Sequence, residues 1–178
     1  PATREGLVYD EPRWDGKTCL EYTPGGKMLD IREDKKKVGA FLNPVRKDVR
    51  KFALSIVREI VKNYDVDAYA LDYCRYPGDG SDFSIDSQKA FERYLGKKIQ
   101  NFPDDIFTWN TDGTKKPGIY YKEWWAFRAN VITSFVKEVR KEIHSINKKV
   151  ELEYWAASWI HGIYGQGQNW AEGSLCAN

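Results

Sequence analysis

Asp72, with Arg75 three residues on and tyrosines at 73 and 76, is the arrangement in this chain best suited to chemistry. It closes the stretch Val66-Asp67-Ala68-Tyr69-Ala70-Leu71-Asp72. The two-residue period of a strand puts Val66, Ala68, Ala70 and Asp72 on one face and Asp67, Tyr69, Leu71 and Tyr73 on the other. A row of alanines ending in a carboxylate suits a crowded place such as the inside of a barrel. A carboxylate there is costly unless something polar or charged meets it, and Arg75 is the nearest candidate in sequence. A second acid, Glu153, lies in Val150-Glu151-Leu152-Glu153-Tyr154-Trp155, where both glutamates share a face with Trp155. Two carboxylates at the ends of adjacent parallel strands supply the general acid and the nucleophile or base of glycoside hydrolysis. The alternation leaves open whether the glutamate face or the Leu152 face points inward.

Polar and aromatic residues crowd the segments after these two strands. Arg75, Tyr73 and Tyr76 follow the first; Trp155, Trp159, His161, Gln168, Asn169 and Trp170 end or follow the second. Sugar rings present apolar C–H faces that stack on indole, so a rim of tryptophans suits a glycan cleft. Each candidate also has a plainer role. Asp72 and Arg75 can form a structural ion pair, the aromatics can fill core, and Glu153 can be a solvated strand residue.

The elements that must position these residues read as α/β. Phe41-Leu42 leads into Asn43-Pro44, a capping residue followed by proline at a first helical position. Val45, Val49, Phe52, Ala53, Ile56, Val57, Ile60, Val61 and Tyr64 then recur at three and four. Strand end, capped amphipathic helix and buried strand make one βαβ unit of a parallel sheet. Trp125, Ile132, Phe135, Val136, Val139, Ile143 and Ile146 mark a second long helix before the strand from Val150 to Ala156. Pro24-Gly25-Gly26 between two apolar runs predicts a hairpin within residues 17–32. Residues 6–9 read as a short strand, Asp86 or Ser87 as the cap of a helix ending at Gly96, and 99–120 as mostly loop.

The runs Phe41-Leu42-Asn43-Pro44 and Leu71-Asp72-Tyr73-Cys74-Arg75-Tyr76-Pro77, with Trp125, Phe127-Arg128 and Gln168-Asn169-Trp170, resemble the glycosyl hydrolase-like family 10 proteins. The resemblance covers roughly residues 38–173. It implies a (β/α)8 TIM-barrel fold and cleavage of O-glycosidic bonds in a polysaccharide or glycan strand, with a periplasmic, cell-surface or secreted location. It also implies a family segment at Gln168–Trp170 in which many members carry an acid where this chain has Asn169. An amide there can hydrogen-bond a sugar hydroxyl but cannot donate a proton as an acid.

Length and composition narrow the expectation. A complete barrel needs about 250 residues and the chain has 178, so a single partial barrel over 1–178 with an open sheet is expected. Aromatics make up 15%, including 7 Trp, while 28 basic and 26 acidic residues are interspersed. That gives no concentrated basic face for nucleic acid, and no apolar run is long enough to cross a membrane. Three cysteines and two histidines show no metal-ligand spacing, although a Cys19–Cys176 disulfide stays open. No cofactor is expected. Three readings remain: a glycoside hydrolase, a carbohydrate-binding barrel without activity, and a non-glycan α/β enzyme, against which the lack of a Gly-rich phosphate loop, a metal cluster or a nucleophile elbow argues.

Overall fold

The computed structural model describes residues 4–156 and 160–168. It opens with a single helical turn, α1 (Leu7–Asp10), and a 3-10 turn at Pro12–Trp14. The strand expected over 6–9 is therefore absent. The segment coils because the Asp10 carboxylate accepts the Gly6 N–H at 2.7 Å, and among the described residues no strand pairs with it. Strands β1 (Leu20–Tyr22) and β2 (Met28–Asp30) form the expected antiparallel hairpin. Its turn uses Gly25 and Gly26 at φ 93° and 79°, a region open to glycine at little cost.

The run Phe41-Leu42 does not end a parallel strand. Cys19 N–H donates to the Phe41 carbonyl and Asn43 N–H to that of Lys17, each at 2.8 Å, so this backbone lies antiparallel to the segment before β1. Helix α2 (Lys47–Asn63) starts only after Arg46, whose side chain makes no cap. Asn43 is thus no helix cap: its side-chain oxygen accepts Val45 N–H at 3.0 Å in the preceding turn, and its side-chain NH2 is used elsewhere.

Next come β3 (Ala68–Leu71), α3 (Ile85–Leu95), a hairpin of β4 (Phe107–Trp109) with β5 (Lys115–Pro117), α4 (Tyr121–Ile146), β6 (Glu151–Tyr154) and α5 (Ile160–Gln166). Helix α3 is capped by Ser84, which accepts Ser87 N–H, rather than by Asp86 or Ser87. The β4–β5 hairpin replaces a segment that reads as loop, because each strand has only three residues and the second is Lys115-Lys116-Pro117.

Strands β3 and β6 are parallel, with Ala68 opposite Glu151 and Ala70 opposite Glu153. Helices α2 and α4 cover one side of this pair. Val57, Val61, Val139, Ile143 and Val150 are buried there with Leu54, Phe135, Val66, Tyr69, Leu71 and Leu152 packed around them. Each such buried aliphatic stabilises the unit by about 2 kcal/mol, and both helices lie on one side as right-handed crossovers require. A second core of Tyr22, Tyr76, Phe83, Phe91, Phe107, Trp124, Trp125 and Phe127 joins the hairpins, α3 and the start of α4. It accounts for much of the aromatic content. Among the described residues the parallel sheet has two strands and no barrel closes, so the chain is α/β with three small sheets.

Candidate functional site

With Tyr69, Leu71 and Leu152 turned toward the helices, the opposite face carries Ala68, Ala70, Glu151 and Glu153, then Asp72 and Trp155 next in register. Trp155 N–H donates to the Leu71 carbonyl at 3.0 Å, which carries the pairing past the strand ends. Asp72, Glu153 and Trp155 are all exposed, Trp155 at 70%. The glutamates therefore share the side of Asp72 and not that of Leu152, the alternative that alternation leaves open.

The strand ends sharply. Tyr73 adopts φ 52°, a left-handed conformation costing an L-residue about 1 kcal/mol, and Arg75 N–H closes onto the Tyr73 carbonyl at 2.8 Å. Asp72 Oδ1 accepts the Tyr73 N–H at 2.8 Å. Among the described residues no Lys or Arg pairs with Asp72. The Asp72–Arg75 pair suggested by their spacing is absent: the Arg75 guanidinium lies over the Tyr73 ring, 4.8 Å from its centroid, and donates to Gln166 Oε1 at 2.7 Å. The turn at Tyr73 carries Arg75 toward α5 rather than back over the carboxylate.

Two further candidates lie inside the molecule. Tyr76 is 1% exposed, beneath the Arg128 guanidinium at 4.4 Å, and burial pushes its hydroxyl well above the usual phenol range. That places it in the core rather than on a substrate-facing surface. Gln168 is buried as well, and its side-chain amide donates to the Tyr154 hydroxyl at 3.1 Å and the Trp155 carbonyl at 3.4 Å. Tyr154 in turn donates to the Cys74 carbonyl at 2.6 Å. Gln168 thus fastens the segment after β6 to that after β3. His161 belongs to α5; Trp159, Asn169 and Trp170 lie outside the described residues. Cys19 is a buried thiol; Cys176, its partner in the disulfide left open by sequence, lies outside the described residues.

Residue patterning missed two charged groups. Asp82 is 1% exposed and accepts from Leu20 N–H and the Asn43 amide at 2.5 Å each, and from the Ser84 and Ser87 hydroxyls at 2.5 and 2.6 Å. Burial pushes its carboxyl above the ordinary range, against the pull of these donors. Nothing in the local sequence Ser81-Asp82-Phe83 separates it from a loop aspartate, since its partners are remote. Arg128, on an α4 turn otherwise rich in aromatics, is fully buried.

A concave apolar space of about 560 Å³ opens beside the site, lined in part by Phe41, Leu42, Val49, Tyr73, Cys74, Ile132 and Phe135. It meets the rim at Tyr73 and Arg75 but includes neither Asp72 nor Glu153. Among the described residues no three His, Cys, Asp or Glu side chains cluster as metal ligands do.

The sequence profile of glycosyl hydrolase-like 10 matches residues 31–173. The chain belongs to that family. An S-layer-related protein of Niallia circulans is 37% identical over 153 residues, which cover 82% of this chain and 9% of that protein. The chain therefore spans less than a tenth of the length of this relative. Within the glycosyl hydrolase-like 10 match fall β3, β6 and both segments that follow them, so the open face and its rim belong to the family region.

Proposed function

We propose that the open β3–β6 face is one wall of a glycan-cleaving cleft, set at the C-terminal ends of the parallel strands of a (β/α)8-type barrel. The observation that carries this is the shared, uncovered face on which Asp72, Glu153 and Trp155 stand together. Strand spacing and a two-residue offset put the Asp72 and Glu153 backbones about 8 Å apart. Paired glycosidase carboxyl groups work at roughly 5 to 9.5 Å, a separation within reach of two side chains set on backbones that far apart. Glu153 is the general acid, protonating the glycosidic oxygen as the bond to the anomeric carbon breaks. Asp72 is the carboxylate that attacks that carbon or takes a proton from the attacking water. Trp155 and Tyr73, both exposed, stack on sugar rings, and Arg75 holds the rim on which they sit. The substrate is a polysaccharide or glycan strand met at the cell surface, in keeping with the family and with a relative named for the S-layer.

The same S-layer-related name favours a second reading, in which the wall binds glycan without cutting it. Incubation with a panel of cell-wall and storage polysaccharides separates the two. New reducing ends support hydrolysis, whereas saturable retention on a polysaccharide without new ends supports binding alone. Neither outcome on any glycan would contradict both readings.

A further inference from the structure

Arg128 is a cation with no surface exposure, and among the described residues no carboxylate pairs with it. Such a group is costly to bury unless its donors and its charge are met by other means. Its guanidinium carbon lies over two rings, 4.4 Å from the Tyr76 centroid and 4.7 Å from that of Trp125. Its Nη2 donates to two carbonyls, Gly78 and Gly165, at 2.7 Å each. Nε and Nη1 make no hydrogen bond. Desolvation lowers its pKa to about 10, where it is still a cation at neutral pH.

The two carbonyls belong to different segments. Gly78 follows β3 and Gly165 lies in the last turn of α5, which follows β6. A helix leaves its last four carbonyls without helical partners. In α5 all four are taken: Ile163 by Gln168 N–H at 2.9 Å, Tyr164 by Gly167 N–H at 3.1 Å, Gly165 by Arg128, and Gln166 by Tyr76 N–H at 2.9 Å. Two of these donors come from outside α5 and its own continuation. Arg75 adds its bond to the Gln166 side chain. The approach is close enough to demand glycine: a Cβ on Gly167, already at φ 70°, would meet the Tyr76 ring at 3.1 Å and the Arg128 carbonyl at 3.3 Å.

We infer that Arg128 is a positioning residue that docks the C-terminal end of α5 onto the loop after β3. It thereby holds the Asp72 and Trp155 ends of the two strands in one rigid rim. It touches no exposed site atom and acts through backbone carbonyls. Planarity matters, since the guanidinium carbon lies over both rings while its Nη2 serves both segments, and an ammonium has donors for the carbonyls but no flat face to stack. The effect on turnover rests on the glycan-cleft reading; the docking itself does not.

Hydrogen–deuterium exchange of the whole chain reads the docking without substrate. In Arg128→Met, and more weakly in Arg128→Lys, the Tyr76, Gly167 and Gln168 amides should exchange about tenfold or more faster, as expected for loss of a charged hydrogen bond that gates local opening. Exchange in α2 and in the β3–β6 ladder should change by less than about twofold. If Arg128→Met does not fold, Arg128→Lys carries the test. Unchanged exchange at those three amides would overturn the inference, as would an equal loss through α2 and the ladder. On a glycan that the wild type cleaves, Arg128→Lys should lower kcat about tenfold with KM little changed, the mark of misplaced groups; wild-type kcat in that variant would overturn the positioning role. A wild type that cleaves nothing would refute the glycan-cleaving reading, while the exchange result still decides the docking.

Discussion

Asp72 and Asp82 stand at opposite ends of the loop between β3 and α3, and they have opposite surroundings. Asp82 is buried with donors from a hairpin strand, the Asn43 turn and the start of α3 on its two oxygens. Asp72 is exposed at the tip of β3, and the one hydrogen bond described for it comes from the N–H of its neighbour. A carboxylate surrounded by donors fixes three segments relative to one another and has no lone pair left for a ligand. One left open at a strand end is available for chemistry. The two sides of the β3–β6 pair repeat the contrast. The helix side is filled by Tyr69, Leu71 and Leu152, and the other shows alanines, glutamates and Trp155.

The largest stability effect should fall on the closed carboxylate. Asp82→Asn turns a donor toward donors and should cost roughly 3 kcal/mol, seen as a lower urea midpoint at unchanged slope. A loss under about 0.5 kcal/mol would mean that Asp82 does not join those segments. Next is Gly167→Ala, which forces a Cβ into a left-handed position against Tyr76 and should cost about 1–2 kcal/mol. A neutral result there would place the end of α5 away from the Tyr76 loop.

Asp30 lies between the extremes. Burial raises its carboxyl pKa, but hydrogen bonds from Arg32 and Thr18 outweigh this and hold it below the usual value. A depressed folded pKa gives stability that is present above the unfolded value of about 4 and is lost as pH falls through the folded one. The stability gap between wild type and Asp30→Asn should therefore shrink from about pH 6 to about pH 2. A gap that widens toward acid would reverse the sign. Trp155→Ala should leave stability within about 0.5 kcal/mol while weakening glycan retention about tenfold, as loss of one stacking platform does. A large drop in melting temperature would make Trp155 a packing residue.

Much of this was legible in sequence where the signal is local. The apolar recurrence in α2 and α4, the alternation in β3 and β6 and the Gly25-Gly26 turn are short-range patterns, and the elements follow them. Asn43-Pro44 misleads because the Asn43 amide is taken by Asp82 and Ser84, remote in sequence. Arg75 is close to Asp72 along the chain, yet the left-handed turn at Tyr73 sends it to Gln166. Tyr76 and Gln168 read as rim residues, but a buried guanidinium and the Tyr154 hydroxyl draw them inward. Long-range polar partners leave no trace in periodicity, so Asp82 and Arg128 emerge only in three dimensions.

The most direct test takes turnover and thermal unfolding from one preparation of Asp72→Asn, on a polysaccharide that the wild type cleaves. Asparagine keeps the shape and removes the charge of a group with no ion pair among the described residues. The account predicts an unfolding midpoint within a degree or two of wild type (under about 0.5 kcal/mol). It also predicts a fall in kcat of about a thousandfold or more, on the order of 4 kcal/mol of lost transition-state stabilisation. Wild-type turnover in that variant would remove Asp72 from the chemistry and contradict the account.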